Sequence, residues 1–191
     1  MRIVSRLFLR MFGHPQGALG QFGGHIMARM NRNIAVWLID LLDIKPNDTV
    51  LEIGFGPGVA IGRTADLGLG RQICGIDYPP EMVQQATARN SEAIKSGRVD
   101  LRFGSVEHLP FRDNTFDKVF AINSMQVRQD IPANLREVWR VMKCGERIAF
   151  GLTPYSGQVK DALLAPLRAA CFDNRRILEG DSGLCAIAEK P

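Results

Sequence analysis

The stretch VLEIGFGPG, Val50 to Gly58, is a short apolar run that ends in an acid and three glycines in alternate places. A run of this length bounded by glycines reads as a buried strand. Glycines this dense give up side-chain packing and cost chain entropy. Something must therefore lie so close to this backbone that side chains would obstruct it.

The residues around it alternate between strand and helix. "ARMNRNIAVWLIDLLD", residues 28–43, places Ile34, Trp37, Leu38, Leu41 and Leu42 at helical spacing, and "IKPND" stops it. After the strand "TVLEIG" comes the helix "PGVAIGRTADLG". "QICGID" is a second strand and "PPEMVQQATARNSEAIKSG" one long helix with its prolines in the first turn. "VDLRFG" and "FDKVFAIN" follow as strands, then the helix "PANLREVWRVMK", the strand "RIAFGLT" and the helix "VKDALLAPLRAACF". "RRILEG" and "LCAIAEK" around "DSG" close the chain as an antiparallel hairpin. Such alternation specifies an α/β, Rossmann-like, doubly wound and mostly parallel sheet with helices on both faces.

The 191 residues favour one domain, here 28–191, preceded by a basic, glycine-rich arm at 1–27. The net charge is +4, but residues 1–39 hold five arginines and no acid, so the remainder is close to neutral. A neutral body is not a phosphate-backbone binder, and no nucleic-acid partner is expected. Cys74, Cys144, Cys171 and Cys185 form no ligand spacing. They read as buried, reduced thiols of a cytoplasmic protein, with no metal site. "MRIVSRLFLRMF" is broken by arginine at every fourth position and lacks the apolar stretch of a signal peptide. Its arginines line one helical face, which suits packing on the protein or a partner. The alternative is peripheral contact of residues 1–12 with an anionic membrane.

In sheets of this kind ligands bind beyond the carboxyl ends of the strands. Gly54, Gly56 and Gly58 stand there, and three details narrow the ligand. Val59 occupies the place of the third glycine in the dinucleotide fingerprint GxGxxG. Glu52 would repel a pyrophosphate but favour a positive group. Residues 50–62 contain no Lys or Arg to cradle phosphates. The loop thus suits a nucleoside with a cationic tail, such as S-adenosylmethionine, which has an α-amino group, a sulfonium and no phosphate. Asp77, at the end of the second strand, can accept both hydroxyls of a ribose.

"VLEIGFGPG", "GIDYPPEMV", "RFGSVEHLPFRDNTFDKVFAINS" and "LREVWRVMKCGERIAF" together resemble the class I S-adenosylmethionine-dependent methyltransferases, in the ubiquinone/menaquinone-biosynthesis-like, small-molecule branch. The resemblance runs from about residue 30 to the end of the chain. It implies a seven-stranded sheet whose last strand is antiparallel. It implies that Glu52 and the backbone of Gly54, Phe55, Gly56 and Gly58 hold the methionine end, and that Asp77 binds the ribose. Tyr78 and Met82 would pack near the adenine, and Ser105 and Val106 would meet its edge and face. Asn123 and Ser124 would border the methyl group. Where relatives often have Asp, this chain has Ser105, so adenine is held by a weaker acceptor or with help from Glu107. Cys144 and Glu146 replace the family's Pro and Gly, which is expected to alter only a turn.

Methyl transfer from a sulfonium is a direct displacement that needs mainly alignment and exclusion of water. No residue stands out as a general base. His25, Gln126 and Tyr155 are the candidates for facing a small, lipophilic acceptor. "NSMQV" departs from the motif with which relatives hold a planar amine, which argues against DNA bases and protein amides. The arm at 1–27, hinged by glycines at 13–24, is expected to act as a lid. Two other functions fit the same sheet. One is a nucleotide-dependent oxidoreductase, which Val59 and Glu52 oppose. The other is a non-catalytic S-adenosylmethionine-binding protein that works through its basic arm.

Overall fold

The computed structural model describes Arg29 and residues 31–124, 131–154 and 161–191. Its elements run in the order α1 (Arg32–Leu42), β1 (Thr49–Ile53), α2 (Val59–Asp66), β2 (Gln72–Asp77), α3 (Pro80–Arg89), α4 (Ser91–Lys95), β3 (Val99–Phe103), β4 (Phe116–Ile122), α5 (Ile131–Val141), β5 (Met142–Leu152), α6 (Asp161–Ala169), β6 (Asp173–Gly180) and β7 (Gly183–Glu189). The seven strands form one sheet in the order β3-β2-β1-β4-β5-β7-β6. The first five pair in parallel, and β7 runs antiparallel between β5 and β6.

Strand β1 is buried along its whole length, because both faces of the sheet are covered. Successive side chains point to opposite faces. Val50 packs with Leu38 and Leu42 of α1 and with Phe120, while Leu51 packs with Val119, Val138 of α5 and Met142. Helix α1 turns Ile34, Ala35, Leu38, Ile39 and Leu42 to the sheet, as its spacing dictates. A third cluster joins Phe55, Ile61 of α2, Ala86 of α3 and Val99 of β3.

The expected order of elements is present, with two differences of detail. The long helix over 79–97 is two helices, parted at Asn90, whose φ of −105° leaves the helical range. Asn90 sits there because its side chain is bonded to the glycine loop. Strand β5 starts at Met142 rather than Arg147. Met142 pairs with Phe116, and the register resumes only at Arg147 opposite Lys118. Full burial of Met142 and Phe116 holds this early pairing. The intervening bulge carries Glu146, which pairs with Lys118, and Lys143, whose Nζ lies 2.6 Å from Asp117. The Glu146 position thus does more than shape a turn. The cysteines are all free thiols, but only Cys74 and Cys185 are buried; Cys144 and Cys171 are exposed. Burial pushes the Cys74 and Cys185 thiols up to about 12.

Candidate functional site

The strand order places the carboxyl ends of β3, β2, β1 and β4 side by side, with the reversal of chain direction around the sheet falling between β1 and β4. Three hydrogen bonds stitch their loops together. Ser124 Oγ donates to the Ile53 carbonyl at 2.6 Å. The Gly54 N–H donates to the Ile76 carbonyl at 2.8 Å, and the Gly104 N–H to the Asp77 carbonyl at 2.9 Å. Glu52, the glycine loop, Asp77, Tyr78, Ser105, Val106, Asn123 and Ser124 are thereby gathered along one edge.

The three glycines of the loop all have positive φ, at 68°, 53° and 74°. Their reasons differ. A Cβ on Gly54 would lie 2.4 Å from Ser124 Cβ, and one on Gly58 would lie 2.6 Å from Asn90 Nδ2. Those two glycines serve close packing within the protein. At Gly56 no described residue comes within 4 Å of the added carbon, so among the described residues the space above its backbone is open. The loop is also fastened from outside, which its own sequence does not reveal. Asn90 Nδ2 donates to the Gly58 carbonyl at 3.1 Å, and Arg89 Nε to the Pro57 carbonyl at 2.9 Å.

Beneath the loop lies Glu52, 2% exposed. Its Oε2 has no hydrogen-bond partner among the described residues. Burial first, and the nearby Asp77 carboxylate second, push its carboxyl well above the ordinary carboxylate range, while the Ile61 N–H of α2 opposes them. A buried, unpartnered carboxyl costs free energy unless a cation or donor completes it. Asp77 is also buried. Its Oδ2 accepts the Gly56 N–H at 2.6 Å and its Oδ1 the Tyr78 N–H at 2.8 Å, which fixes the carboxylate against the loop.

Tyr78 is 54% exposed and stacks on Phe103, itself 58% exposed, with ring centroids 5.4 Å apart. Phe103 has no signal in the sequence beyond closing β3. Met82 is buried behind Tyr78 in α3, and Val106 is buried among core side chains. Ser105 is half-buried and its Oγ lies 3.4 Å from the N–H of exposed Glu107. This turn is held from α5: Glu137 accepts the Leu109 N–H at 3.0 Å, and Arg140 donates to the carbonyls of Leu109 and Phe111. Arg140 in turn holds the Glu137 carboxyl below its ordinary value.

Two of the expected residues point elsewhere with their side chains. Phe55 is turned into the core, where it fills the space left by Gly75, so only its backbone borders the loop. The Asn123 carboxamide donates to Asn31 at 2.9 Å and accepts the Thr153 N–H at 3.0 Å. It ties the end of β4 to the end of β5 and to the start of α1. His25, Gln126 and Tyr155 lie outside the described residues, as does the arm at 1–27. Among the described residues no group of three or more His, Cys, Asp or Glu could hold a metal ion.

A buried acid lies under the glycine loop, beside the buried carboxylate of Asp77. Residues 51–150 match the model of a methyltransferase domain. The chain belongs to this methyltransferase family. It is a class I S-adenosylmethionine-dependent methyltransferase, and S-adenosylmethionine is its cofactor. It is 28% identical over 180 residues to the uncharacterized methyltransferase YdaC of Bacillus subtilis, covering 88% of this chain and 97% of that one. It is 30% identical over 120 residues to the ubiquinone/menaquinone biosynthesis C-methyltransferase UbiE of Geotalea daltonii, covering 62% of this chain and 51% of UbiE. Its fold resembles that of a SAM-dependent methyltransferase from Aquifex aeolicus, with a TM-score of 0.73, 20% identity, and coverage of 88% of this chain and 96% of that one.

Proposed function

We propose that the protein transfers the methyl group of S-adenosylmethionine to a small-molecule acceptor by direct displacement, with Glu52 receiving the cationic tail of the cofactor. The observation that carries this reading is the buried Glu52 carboxyl with its unpartnered Oε2, set under a loop whose Gly56 leaves open space. The residues fit the cofactor in kind. Glu52 and the backbone of Gly54, Phe55, Gly56 and Gly58 would hold the methionine portion. Asp77, fixed by two N–H groups, would take the ribose diol. The Tyr78–Phe103 pair and Met82 would flank the adenine on one side, and Ser105, Val106 and Glu107 on the other. Ser124, packed against Gly54, would border the reacting end.

When bound, S-adenosylmethionine supplies a methyl group on a sulfonium, already activated toward a nucleophile. The chain's part is to align and to exclude water. The rigid stitching of four strand ends by Ser124, Gly54 and Gly104 serves alignment. Asn123 serves it indirectly, by locking β4 to β5 and to Asn31.

Asn31, a few positions after the arm at 1–27 in the sequence, lies beside the end of β4. That position supports the arm as the cover of the acceptor space, with His25, Gln126 and Tyr155 as candidates to face the acceptor. The resemblance to UbiE, a quinone-biosynthesis enzyme by name, supports a small lipophilic acceptor. Among the described residues no helix is long and apolar enough to cross a membrane.

The test is transfer of labelled methyl from S-adenosylmethionine to a solvent-extractable lipid and metabolite fraction. Label in that fraction, lost in the Glu52→Gln variant and reduced on removal of residues 1–24, is expected. Tight cofactor binding with no transfer to any fraction would overturn the catalytic reading. Turnover unchanged by the truncation would overturn the role of the arm.

A further inference from the structure

We infer that a groove on the outside of α2 binds a phosphate-bearing anion. The groove has a volume of about 990 Å3 and runs between the start of α1 and the junction of α3 and α4. Four arginines line it: Arg32 of α1, Arg63 of α2, Arg89 of α3, and Arg29, which precedes α1. Among the described residues that line it, the acids are Asp66 and Glu92. The inference does not depend on the methyl-transfer reading.

All four arginines are exposed, and three features set the cluster apart. Unlike Arg102, Arg140 and Arg147, none of the four forms an ion pair with a described residue, although acids stand within the same groove. Arg89 has one committed contact, its Nε to the Pro57 carbonyl, which holds the guanidinium in place and leaves its terminal nitrogens for another acceptor. Third, the first turn of α1 carries Arg32 and no acid. A cation there adds to the positive end of the helix dipole, an unfavourable arrangement that a bound anion reverses. Planar guanidinium forks match phosphate oxygens in pairs, and four of them around one space suit a diphosphate or a phosphodiester better than a single carboxylate.

The phosphate could belong to a soluble ester or to a lipid headgroup, and the experiment separates the two. The full-length chain is titrated with sodium pyrophosphate by calorimetry at roughly physiological ionic strength. In parallel it is sedimented with phosphatidylglycerol vesicles and with phosphatidylcholine vesicles. The same measurements are made on the double variant R32A/R63A and on R136A, an exposed arginine of α5 on the far face of the sheet. Binding of S-adenosylhomocysteine serves as the check that each variant is folded. If R32A/R63A melts early, R32Q/R63Q replaces it.

Saturable pyrophosphate binding that weakens at least about tenfold in the double variant, but not in R136A, supports a soluble phosphate ester. Sedimentation with phosphatidylglycerol vesicles alone, lost in the double variant, supports a lipid phosphate. Absence of both from the wild-type chain, or binding that the double variant retains, overturns the inference.

Discussion

Replacing Glu52 by Gln should change how both stability and cofactor affinity depend on pH, and the direction follows from the site. In the empty protein burial and Asp77 raise the Glu52 carboxyl well above its ordinary value. An unfolded glutamate titrates near 4.3, as a rough reference. The folded state therefore holds a proton that the unfolded state releases. The stability this contributes is fully present below the unfolded value and is lost as pH rises through the folded one. The loss amounts to about 1.4 kcal/mol for each pH unit between the two values. The Gln variant carries no such titration, so it should become the more stable protein as pH rises from about 5 to 8. Binding has the opposite sign. An ammonium group needs the carboxylate, so S-adenosylhomocysteine should expel a proton, and its affinity should rise by up to about tenfold per pH unit until the empty site is ionised. At the plateau the variant should bind about 1.5–3 kcal/mol more weakly, the worth of a hydrogen bond to a charged group. Urea melts across this pH range, and calorimetry in two buffers of different ionisation enthalpy, measure both effects. Parallel stability profiles for the two proteins, together with an S-adenosylhomocysteine affinity that ignores pH and buffer, would refute the reasoning.

Three further perturbations probe the loop and its supports. Gly58→Ala should destabilise the empty protein by about 2–4 kcal/mol in urea melts, because it meets both a left-handed φ and Asn90. Gly56→Ala should cost only the backbone term, about 1–2 kcal/mol, yet weaken S-adenosylhomocysteine binding; equal destabilisation by the two alanines would contradict the open space at Gly56. Phe103→Ala should cost about 0.5–1.5 kcal/mol in urea melts through loss of the Tyr78 stack and also weaken S-adenosylhomocysteine binding; unaltered binding would remove Phe103 from the site. Arg140→Ala should cost about 1–2 kcal/mol in thermal melts and speed amide exchange over residues 105–111, and unchanged exchange there would show that the turn holds itself.

The order of elements could be read because apolar periodicity and glycine position are local signals, and β1 with its loop shows both. Glu52 and Asp77 stood out because each is a charged residue in an apolar strand, and the structure buries both. What escaped the sequence depends on contacts between distant segments. Asn90 looks like one residue of a long helix, yet it ends α3 because its amide reaches Gly58, 32 residues earlier. Strand β5 begins early because Met142 is buried against Phe116. Asn123 has the composition of a polar site residue, and only the fold shows its amide engaged with Asn31 and Thr153. The arginine groove is invisible for the same reason: its four arginines, Arg29 before α1 and one each from α1, α2 and α3, are spread over 61 positions.

The central claim is that the acid buried under the glycine loop is completed by the amino group of the cofactor. A crystal structure with S-adenosylhomocysteine bound tests it most directly. The account predicts the ligand's α-amino nitrogen within about 3 Å of Glu52 Oε2, or joined to it through one water. An α-amino group held elsewhere, with Glu52 still unpartnered, would contradict it.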